Sequence, residues 1–302
     1  MSAPQTLDRA LLDTMPLPVV GDGGKDERGR VLVIGGGLEL AGAVLLAGTA
    51  ALRAGAGKLQ MATAASVVPA LTVAVPEARV FALPETHEGH PSPAAAKALA
   101  EHLPGCGAIL IGPGMMRDSE GLAAAVLDLI DDQPLVLDAG AMSAVRDAPR
   151  RSGRGGRVLT PHAGEMARLL DVDKSRVEAD PLAAARHAAE RFGAVVVMKG
   201  ARSHVVDPDG RAALYAGGGA GLGTSGSGDV LAGLIAGLLA RGADAFQAAA
   251  WGVWLHGEAG KRLARRIGPL GFLAREIAAE APGLMAEITV GGSVMNDRAE
   301  AT

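Results

Sequence analysis

A glycine-rich stretch at residues 217–229 ends in Asp229 and runs directly into an apolar segment at residues 230–239. Because glycine has no side chain to block a ligand, consecutive backbone N–H groups in such a loop can converge on one point. A helix that begins there adds its own free N–H groups and the positive end of its dipole. This combination favours binding of a phosphate, or of an anion that develops during a reaction.

Asp229 is the unexpected member of this loop, because a carboxylate repels a resting phosphate. Its position suggests a base that removes a proton from a hydroxyl while nearby amides stabilise the charge being transferred. Aspartate is also a common helix N-cap, so the loop alone leaves catalysis and a plain cap open. The G-x-G-x-x-G match at residues 221–226 lies in the C-terminal third, whereas a dinucleotide-binding fingerprint opens the first βαβ unit.

The elements that must position this loop alternate along most of the chain. Buried strands are predicted at residues 31–34, 58–63, 108–111, 135–138, 157–160 and 194–198, and a hairpin at 203–206 and 212–215. Helices are predicted at residues 41–55, 122–130, 181–192, 230–240, 243–264 and 273–281, with another that ends near 170. This alternation predicts one α/β domain over residues 1–302, with a mainly parallel sheet covered by helices on both faces. We expect an ordered core at about 16–290 and frayed termini.

Ligands of such sheets bind beyond the carboxyl ends of the strands. Several candidate segments fall at predicted strand ends: Gly112-Pro-Gly114, Asp138, Thr160-Pro-His162, Lys199-Gly200 and residues 226–229. Their shared location carries more weight than any one motif.

Taken singly, these residues keep two interpretations. His162 is equally a ligand for a substrate ring and part of a helix entry. Lys199 could meet a phosphate or ribose, or be a surface lysine. Asp138 could hold a magnesium-bound water or a substrate hydroxyl, or cap a turn. His256, within an apolar helix pattern, is interpreted as a packing histidine.

Composition excludes several classes of function. The formal net charge is −4, and only 2% of residues are aromatic, so a nucleic-acid partner is not expected. Nor is an anionic membrane surface. The single cysteine, Cys106, rules out an intrachain disulfide framework. The N-terminus has no apolar signal region, and no apolar run is long enough to span a bilayer, so we expect a cytoplasmic protein.

Six ordered segments together resemble a known family. They are residues 41–57, Gly112-Pro-Gly114, residues 135–139, residues 159–165, residues 198–201 and Gly226-Ser-Gly-Asp-Val-Leu-Ala-Gly233. Over roughly residues 25–280 the chain resembles the ADP-dependent NAD(P)H-hydrate dehydratases, a branch of the ribokinase-like superfamily. The resemblance implies a ribokinase-like three-layer α/β sandwich. It also implies a stand-alone dehydratase domain, without the epimerase domain that precedes it in some relatives.

The activity that the resemblance implies is repair of a damaged cofactor. The S epimer of hydrated NADH or NADPH (NADHX or NADPHX) would lose its ring hydroxyl, while ADP becomes AMP and phosphate. Asp229 would deprotonate that hydroxyl, and the Gly226–Ser227–Gly228 segment would stabilise the phosphoryl group. By family match, Ala43, Gly114, His162 and Asp229 contact the hydrated dinucleotide. The adenine nucleotide would be held by Lys199, Gly200, Ala201, Arg202, Ser203 and Gly228.

The resemblance further implies ADP or ATP as co-substrate, Mg²⁺ for phosphoryl transfer, a homo-oligomer (a tetramer), and a separate NAD(P)H-hydrate epimerase as partner activity. The chain departs from the family pattern at residues 217–219 and at Met115-Met116, which bears on nucleotide affinity.

The sequence leaves two alternative functions open. One is an ATP-dependent kinase of hydroxyethylthiazole or hydroxymethylpyrimidine type, and the other is a non-catalytic nucleotide sensor, which Asp229 argues against.

Overall fold

The computed structural model of the protein describes residues 3–19, 24–116, 120–148 and 156–299. The strands are β1 Gln5–Thr6, β2 Arg30–Ile34, β3 Lys58–Ala64, β4 Ala78–Leu83, β5 Ala108–Ile111, β6 Leu135–Leu137, β7 Arg157–Leu159, β8 Val195–Met198, β9 Ser203–Val206 and β10 Ala212–Tyr215. The helices are α1 Arg9–Asp13, α2 Ala41–Arg53, α3 Val68–Ala74, α4 Ala95–Leu99, α5 Glu120–Leu127, α6 Ala163–Leu170, α7 Lys174–Ala179, α8 Pro181–Phe192, α9 Ser227–Ala240, α10 Ala245–Arg266 and α11 Ala274–Ala299. Short 3₁₀ helices occupy Ala65–Val67, Ala139–Arg146 and Ala220–Gly223.

The strands form one ten-stranded sheet in the order β1-β10-β9-β8-β7-β6-β5-β2-β3-β4. Neighbouring strands are parallel except where β9 pairs with β8 and β10. The predicted hairpin is the β9–β10 pair. The predicted, mainly parallel α/β sheet is therefore confirmed.

The central strands are apolar throughout because both faces of the sheet are covered. Along β2, Val31 and Val33 face one core while Leu32 and Ile34 face the other, and all four are fully buried. The first core contains residues of α2, α9, α10 and α11, and the second contains residues of α5, α6 and α8. The three-layer arrangement follows from this alternation.

Helix α9 crosses α2 at very short range, and two glycines make this possible. A Cβ on Gly233 would overlap the carbonyl oxygen of Ala47, and one on Gly237 would overlap that of Ala51. This contact fixes the axis of α9, and with it the direction in which the N-terminus of α9 points.

The structure corrects three sequence-based boundaries and adds four elements that were not predicted, β4, α3, α4 and α7. Helix α11 continues to Ala299, past its predicted end at residue 281 and into the C-terminal residues predicted to be frayed. Residues predicted to be frayed at the N-terminus form β1, which pairs with β10, and α1, with Leu7 and Leu12 buried. These two leucines fill the first core, which is why the segment is ordered. Helix α9 begins at Ser227, three residues before the predicted start at Val230, so Asp229 lies in its first turn. The predicted single domain over 1–302 stays a prediction, and residues 300–302 lie outside the described part.

Candidate functional site

The loops at the carboxyl ends of the central parallel strands lie at one level. Ile111 pairs with Leu137, and Leu137 pairs with Leu159, so the residues after them reach the sheet edge together. The first contact there joins β6 to β7, where Thr160 Oγ1 donates to Asp138 Oδ1 at 2.5 Å. Asp138 is only 3% exposed, so this carboxylate is held at the floor of the site.

Lys199, directly after β8, is the cation of this floor. Its Nζ lies 3.2 Å from Asp138 Oδ1 and 3.6 Å from Glu165 Oε2. Burial by itself would lower the pKa of Lys199, but the nearby carboxylates of Asp138, Glu165 and Asp229 outweigh it and raise that pKa. Lys199 therefore stays charged at neutral pH, a buried ammonium surrounded by three carboxylates.

The N-terminus of α9 faces this ammonium. Gly226 precedes the helix with a φ of +85°, a left-handed conformation that favours glycine. A Cβ on Gly228 would lie 3.5 Å from Lys199 Nζ, so the lysine reaches the first helical turn. The turn into α9 requires glycine at residue 226, whereas the space beside Gly228 would accept a Cβ at ordinary contact distance.

Asp229 lies in that same first turn and carries an unusual pKa. Burial raises its pKa most, and the negative charge of Asp138 raises it further. The Lys199 charge and the Asp229 backbone N–H partly offset these effects, leaving a pKa of about 7. A carboxyl group with that pKa can accept and release a proton near neutral pH, which is the requirement for a general base.

His162 is the N-cap of α6. Its Nδ1 accepts hydrogen bonds from the backbone N–H groups of Gly164, at 3.0 Å, and Glu165, at 3.3 Å. In return, the His162 backbone N–H donates to Glu165 Oε2 at 2.8 Å, which completes a capping box. Burial lowers the pKa of His162. Because Nδ1 accepts, the neutral ring carries its hydrogen on Nε2.

The helix-entry interpretation of His162 is confirmed, with the His162 ring itself as the cap, and its contact with a substrate stays a prediction. A backbone bridge pairs His162 with Lys199, and the Lys199 N–H donates to the Pro161 carbonyl at 2.8 Å. The capping bonds use Nδ1, while Nε2 lies 3.6 Å from Glu165 Oε1 on a side chain that is 56% exposed.

Ala43 and Gly114 form a second group, on the α2 side. Gly114 has a φ of +68°, and a Cβ there would lie 3.0 Å from the Cβ of Ala43. The two predicted substrate-binding residues are thus in direct contact. This group adjoins the α9 loop, because the Leu46 side chain of α2 packs against Gly226.

The predicted nucleotide-binding residues of the β8–β9 turn line a cavity of about 520 Å³. Lys199, Gly200, Ala201 and Arg202 all contribute to its wall. Ser203 has a different position, since its hydroxyl donates to the Gly200 carbonyl at 3.3 Å and closes the turn. Sequence patterns did not reveal His204, which also lines the cavity and whose Nδ1 has no hydrogen-bond partner among the residues that the structure describes.

Two further residues of the site were not predicted in the roles that they have. Glu165 was seen only as part of a motif, although it contacts both Lys199 and His162. A capping pattern, with a glutamate three residues after the cap, is the feature that could have found it. His256 was interpreted as a packing histidine, whereas its Nε2 lies 2.8 Å from Ser227 Oγ. That contact depends on how α10 packs on α9, and no local pattern encodes it.

Within the described ranges, no three His, Cys, Asp or Glu side chains come together as a metal-binding group. Among the same residues, no helix combines the length and apolarity needed to cross a bilayer.

Comparison with known proteins places the chain beside one family of enzymes. A family profile described as NAD(P)H-hydrate dehydratase matches residues 31–282. The chain is 52% identical over 286 residues to the ADP-dependent (S)-NAD(P)H-hydrate dehydratase of Xanthomonas campestris pv. campestris, which covers 93% of this chain and 96% of that protein. It is 40% identical over 263 residues to the bifunctional NAD(P)H-hydrate repair enzyme Nnr of Moorella thermoacetica, covering 84% of this chain and 49% of that enzyme. The chain thus spans about half of the bifunctional relative.

A solved structure gives the same result. The chain superimposes on the ADP/ATP-dependent NAD(P)H-hydrate dehydratase from Bacillus subtilis, co-crystallized with ATP/Mg²⁺, with a TM-score of 0.83 and 28% identity. The match covers 94% of this chain and 99% of that one. The predicted ribokinase-like fold is confirmed.

Proposed function

Because this chain belongs to the NAD(P)H-hydrate dehydratase family, we propose that it is an ADP-dependent hydro-lyase that restores NADH and NADPH from the S epimers of their hydrates. The observation that carries the proposal is the arrangement at the start of α9. There, Asp229, with a pKa of about 7, lies beside the first-turn amides and in the field of Lys199.

The chemistry follows from these residues. Hydroxide leaves a ring poorly, so the hydroxyl of the hydrate is first phosphorylated. Ionised Asp229 takes the hydroxyl proton, the freed oxygen attacks the terminal phosphorus of the nucleotide, and the bond to its bridging oxygen breaks. With ADP the products of this step are AMP and a phosphate ester. Loss of phosphate, together with a ring proton, then restores the reduced nicotinamide.

Charge stabilisation during transfer is the task of Lys199 and Gly228. The transferred phosphoryl group carries its negative charge on its three equatorial oxygens, which lie away from the attacking and leaving oxygens. Hydrogen-bond donors that are already in place stabilise this charge without having to move during the reaction. Gly228 lies in the first turn of α9, and a Cβ on it would be 3.5 Å from Lys199 Nζ. His162 presents its Nε2–H edge to the hydrated ring, and Ala43 with Gly114 forms the opposite, side-chain-poor wall.

The nucleotide is proposed to bind along the β8–β9 turn, in the cavity of about 520 Å³ lined by Lys199 and Arg202. The name of the Xanthomonas relative supports ADP, and the Bacillus subtilis relative, described as ADP/ATP-dependent, supports ATP as a second donor. The effect of the family departures at residues 217–219 and 115–116 on affinity stays a prediction.

Mg²⁺ is proposed as the metal of the reaction, held by Asp138 and Glu165 together with nucleotide phosphates. Magnesium prefers one or two carboxylates plus phosphate oxygens and water over a cage made entirely of protein ligands. The donor set fits this, because Asp138 contacts Lys199 and Thr160 through Oδ1, which leaves Oδ2 for a metal. Glu165 contacts Lys199 through Oε2, and its Oε1 lies 3.6 Å from His162 Nε2. When bound, the ion would neutralise charge on the phosphates.

Three expectations drawn from the sequence remain proposals. A separate epimerase is expected to supply the S epimer, and this is supported by a relative that is named as a bifunctional repair enzyme and of which the chain spans about half. A tetrameric assembly is proposed on the family resemblance alone, and a cytoplasmic location on the N-terminal sequence and the lengths of the apolar runs.

The test is incubation of the purified protein with (S)-NADHX and Mg²⁺, with ADP or ATP added in separate reactions. We expect reduced-nicotinamide absorbance to return, with one AMP formed per NADH when ADP is used. A stable phosphate ester formed from hydroxyethylthiazole and ATP, with no restored NADH, would identify a kinase. Nucleotide binding without any turnover would identify a sensor.

A further inference from the structure

We propose that His256 is a positioning residue that holds the Ser227 hydroxyl as a hydrogen-bond donor to the transferred phosphoryl group. The inference rests on the proposed function and adds to it a residue on α10, outside the six segments that carry the family resemblance. Ser227 is the first residue of α9, immediately before Gly228 and Asp229.

Ser227 can offer an anion only its hydroxyl. Its backbone N–H is already used, since it donates to the Thr224 carbonyl at 3.2 Å. The Ser227 amide is therefore not available to bind the phosphoryl group, unlike the expectation for the amides of residues 226–228. Its hydroxyl is the remaining donor, on a residue that is only 5% exposed at the mouth of the helix.

The tautomer of His256 follows from its two neighbours. Its Nε2 lies 2.8 Å from Ser227 Oγ and 3.1 Å from the Ser227 carbonyl oxygen. A carbonyl oxygen only accepts hydrogen bonds, so a bare Nε2 would place its lone pair against another lone pair. The geometry therefore requires a hydrogen on Nε2. Burial lowers the pKa of His256 to about 4, so the ring is neutral at pH 7 and carries that single hydrogen.

The direction of the Ser227 hydrogen follows from the hydrogen count of a hydroxyl. The one Nε2–H of His256 is shared between the Ser227 carbonyl oxygen and Ser227 Oγ, so Oγ is an acceptor towards the ring. A hydroxyl has only one hydrogen of its own to donate. That hydrogen is left to point away from the histidine. Without His256, the hydroxyl could rotate and donate to a backbone carbonyl of its own segment, as serine commonly does near helix ends. His256 thus gives the anion site a fixed donor in addition to the Gly228 amide.

The first test compares two variants with the wild-type enzyme in (S)-NADHX turnover with ADP. His256→Met, which fills the space without an N–H, is expected to lower kcat about tenfold, the effect of one hydrogen bond, with KM unchanged. His256→Gln, whose amide N–H can occupy the place of Nε2–H, is expected to recover most of that loss. Equal losses for the two variants would contradict the proposal.

Ser227→Ala provides a double-mutant cycle. If His256 acts only through the Ser227 hydroxyl, His256→Met will change kcat by less than twofold when added to Ser227→Ala. A tenfold loss in both backgrounds would show that His256 matters through packing, and would overturn the inference. Should His256→Met not fold, as judged by thermal unfolding, His256→Leu, which also lacks an N–H, takes its place in the cycle and is read in the same way. A wild-type protein that restores no NADH would instead overturn the proposed function.

Discussion

Asp229 owes its chemistry to its surroundings rather than to its identity as an aspartate. Burial and the Asp138 charge raise its pKa, and Lys199 opposes them, so the group is poised at about 7. The loop pattern predicts a simple base, whereas the structure describes one that is partly protonated at neutral pH. A base poised near the working pH combines an adequate ionised fraction with useful proton affinity.

The pH dependence of the rate tests whether the pKa of Asp229 is near 7. We expect kcat/KM for (S)-NADHX to rise with pH and level off above an apparent pKa near 7, because only the ionised carboxylate accepts the hydroxyl proton. The measurement is initial rate against pH at low substrate. A flat profile from pH 5 to 9, with chemistry rate-limiting, would contradict the assignment.

The raised pKa of Asp229 also makes the free energy of unfolding depend on pH. The pKa of Asp229 rises from 3.8 when free to about 7 in the folded protein, so the folded state holds the proton more tightly. The contribution of this group is therefore fully present below pH 3.8 and is lost as the pH rises to about 7. Denaturant unfolding of wild type and Asp229→Asn across that range should show the difference in unfolding free energy falling with pH. A constant difference would mean that the shift is absent.

Removing the base separates binding from turnover. Asp229→Asn keeps the shape of the side chain but cannot accept a proton, so we expect turnover to fall by about 10²–10⁴. ADP affinity, measured by calorimetry, should stay near that of the wild-type protein. Unchanged turnover would remove Asp229 from the mechanism, and Glu39→Gln, on an exposed residue, is the matched control.

At the scale of elements, the close crossing of α2 and α9 fixes the direction of the α9 N-terminus, where the proposed anion site lies. Gly233 permits this crossing, because any Cβ there would overlap the Ala47 backbone. Backbone atoms cannot move aside as a flexible side chain does, so the two helices would have to separate. Such a shift would also move the first turn of α9.

Gly233→Ala is therefore expected to destabilise the fold by about 1–3 kcal/mol, the usual cost of overpacking. Urea unfolding measures the change. Gly42→Ala in α2 is the matched control, because nothing lies within 4 Å of a Cβ added there. It should not destabilise the protein, since alanine favours helix over glycine. Equal changes in the free energy of unfolding for the two substitutions would mean that the short distance between α2 and α9 does not exclude a side chain at residue 233.

At the scale of the whole molecule, the first residues of the chain complete the structure. β1 extends the sheet beside β10, and Trp251 Nε1 donates to the Met15 carbonyl at 2.9 Å. Helix α10, which carries His256, is thus held on its outer side by the N-terminal segment. The segment that looks dispensable in sequence belongs to the core.

Leu12→Ala tests this. Leu12 is fully buried, so its truncation is expected to cost about 2–5 kcal/mol, whereas a frayed segment would lose nothing. Leu270→Ala, at a leucine that is 67% exposed, is the matched control and should change the unfolding free energy by less than about 0.5 kcal/mol. Similar unfolding midpoints for the two variants would place residues 3–15 outside the cooperative unit.

Local sequence patterns were enough to predict the central strands, most of the longer helices, and the sheet edge at which the site residues meet, but not β1, β4 or the short helices. Apolar strands that end in glycine or a polar residue carry their pattern locally, and parallel strands bring their carboxyl ends to one side. Asp138, Thr160 and Lys199 could therefore be placed together from these patterns. The glycines before α9 likewise indicated a close approach of backbone to a ligand.

The protonation states and the partners of those residues, in contrast, depend on tertiary packing. The pKa of Asp229 is set by burial and by charges that follow β6 and β8, at Asp138 and Lys199, which are 91 and 30 residues away in sequence. The contact of His256 with Ser227, and the burial of Leu12, likewise require packing between distant elements. Local patterns encode which groups are present, but electrostatic fields and hydrogen-bond partners arise only when distant segments are brought within a few ångströms.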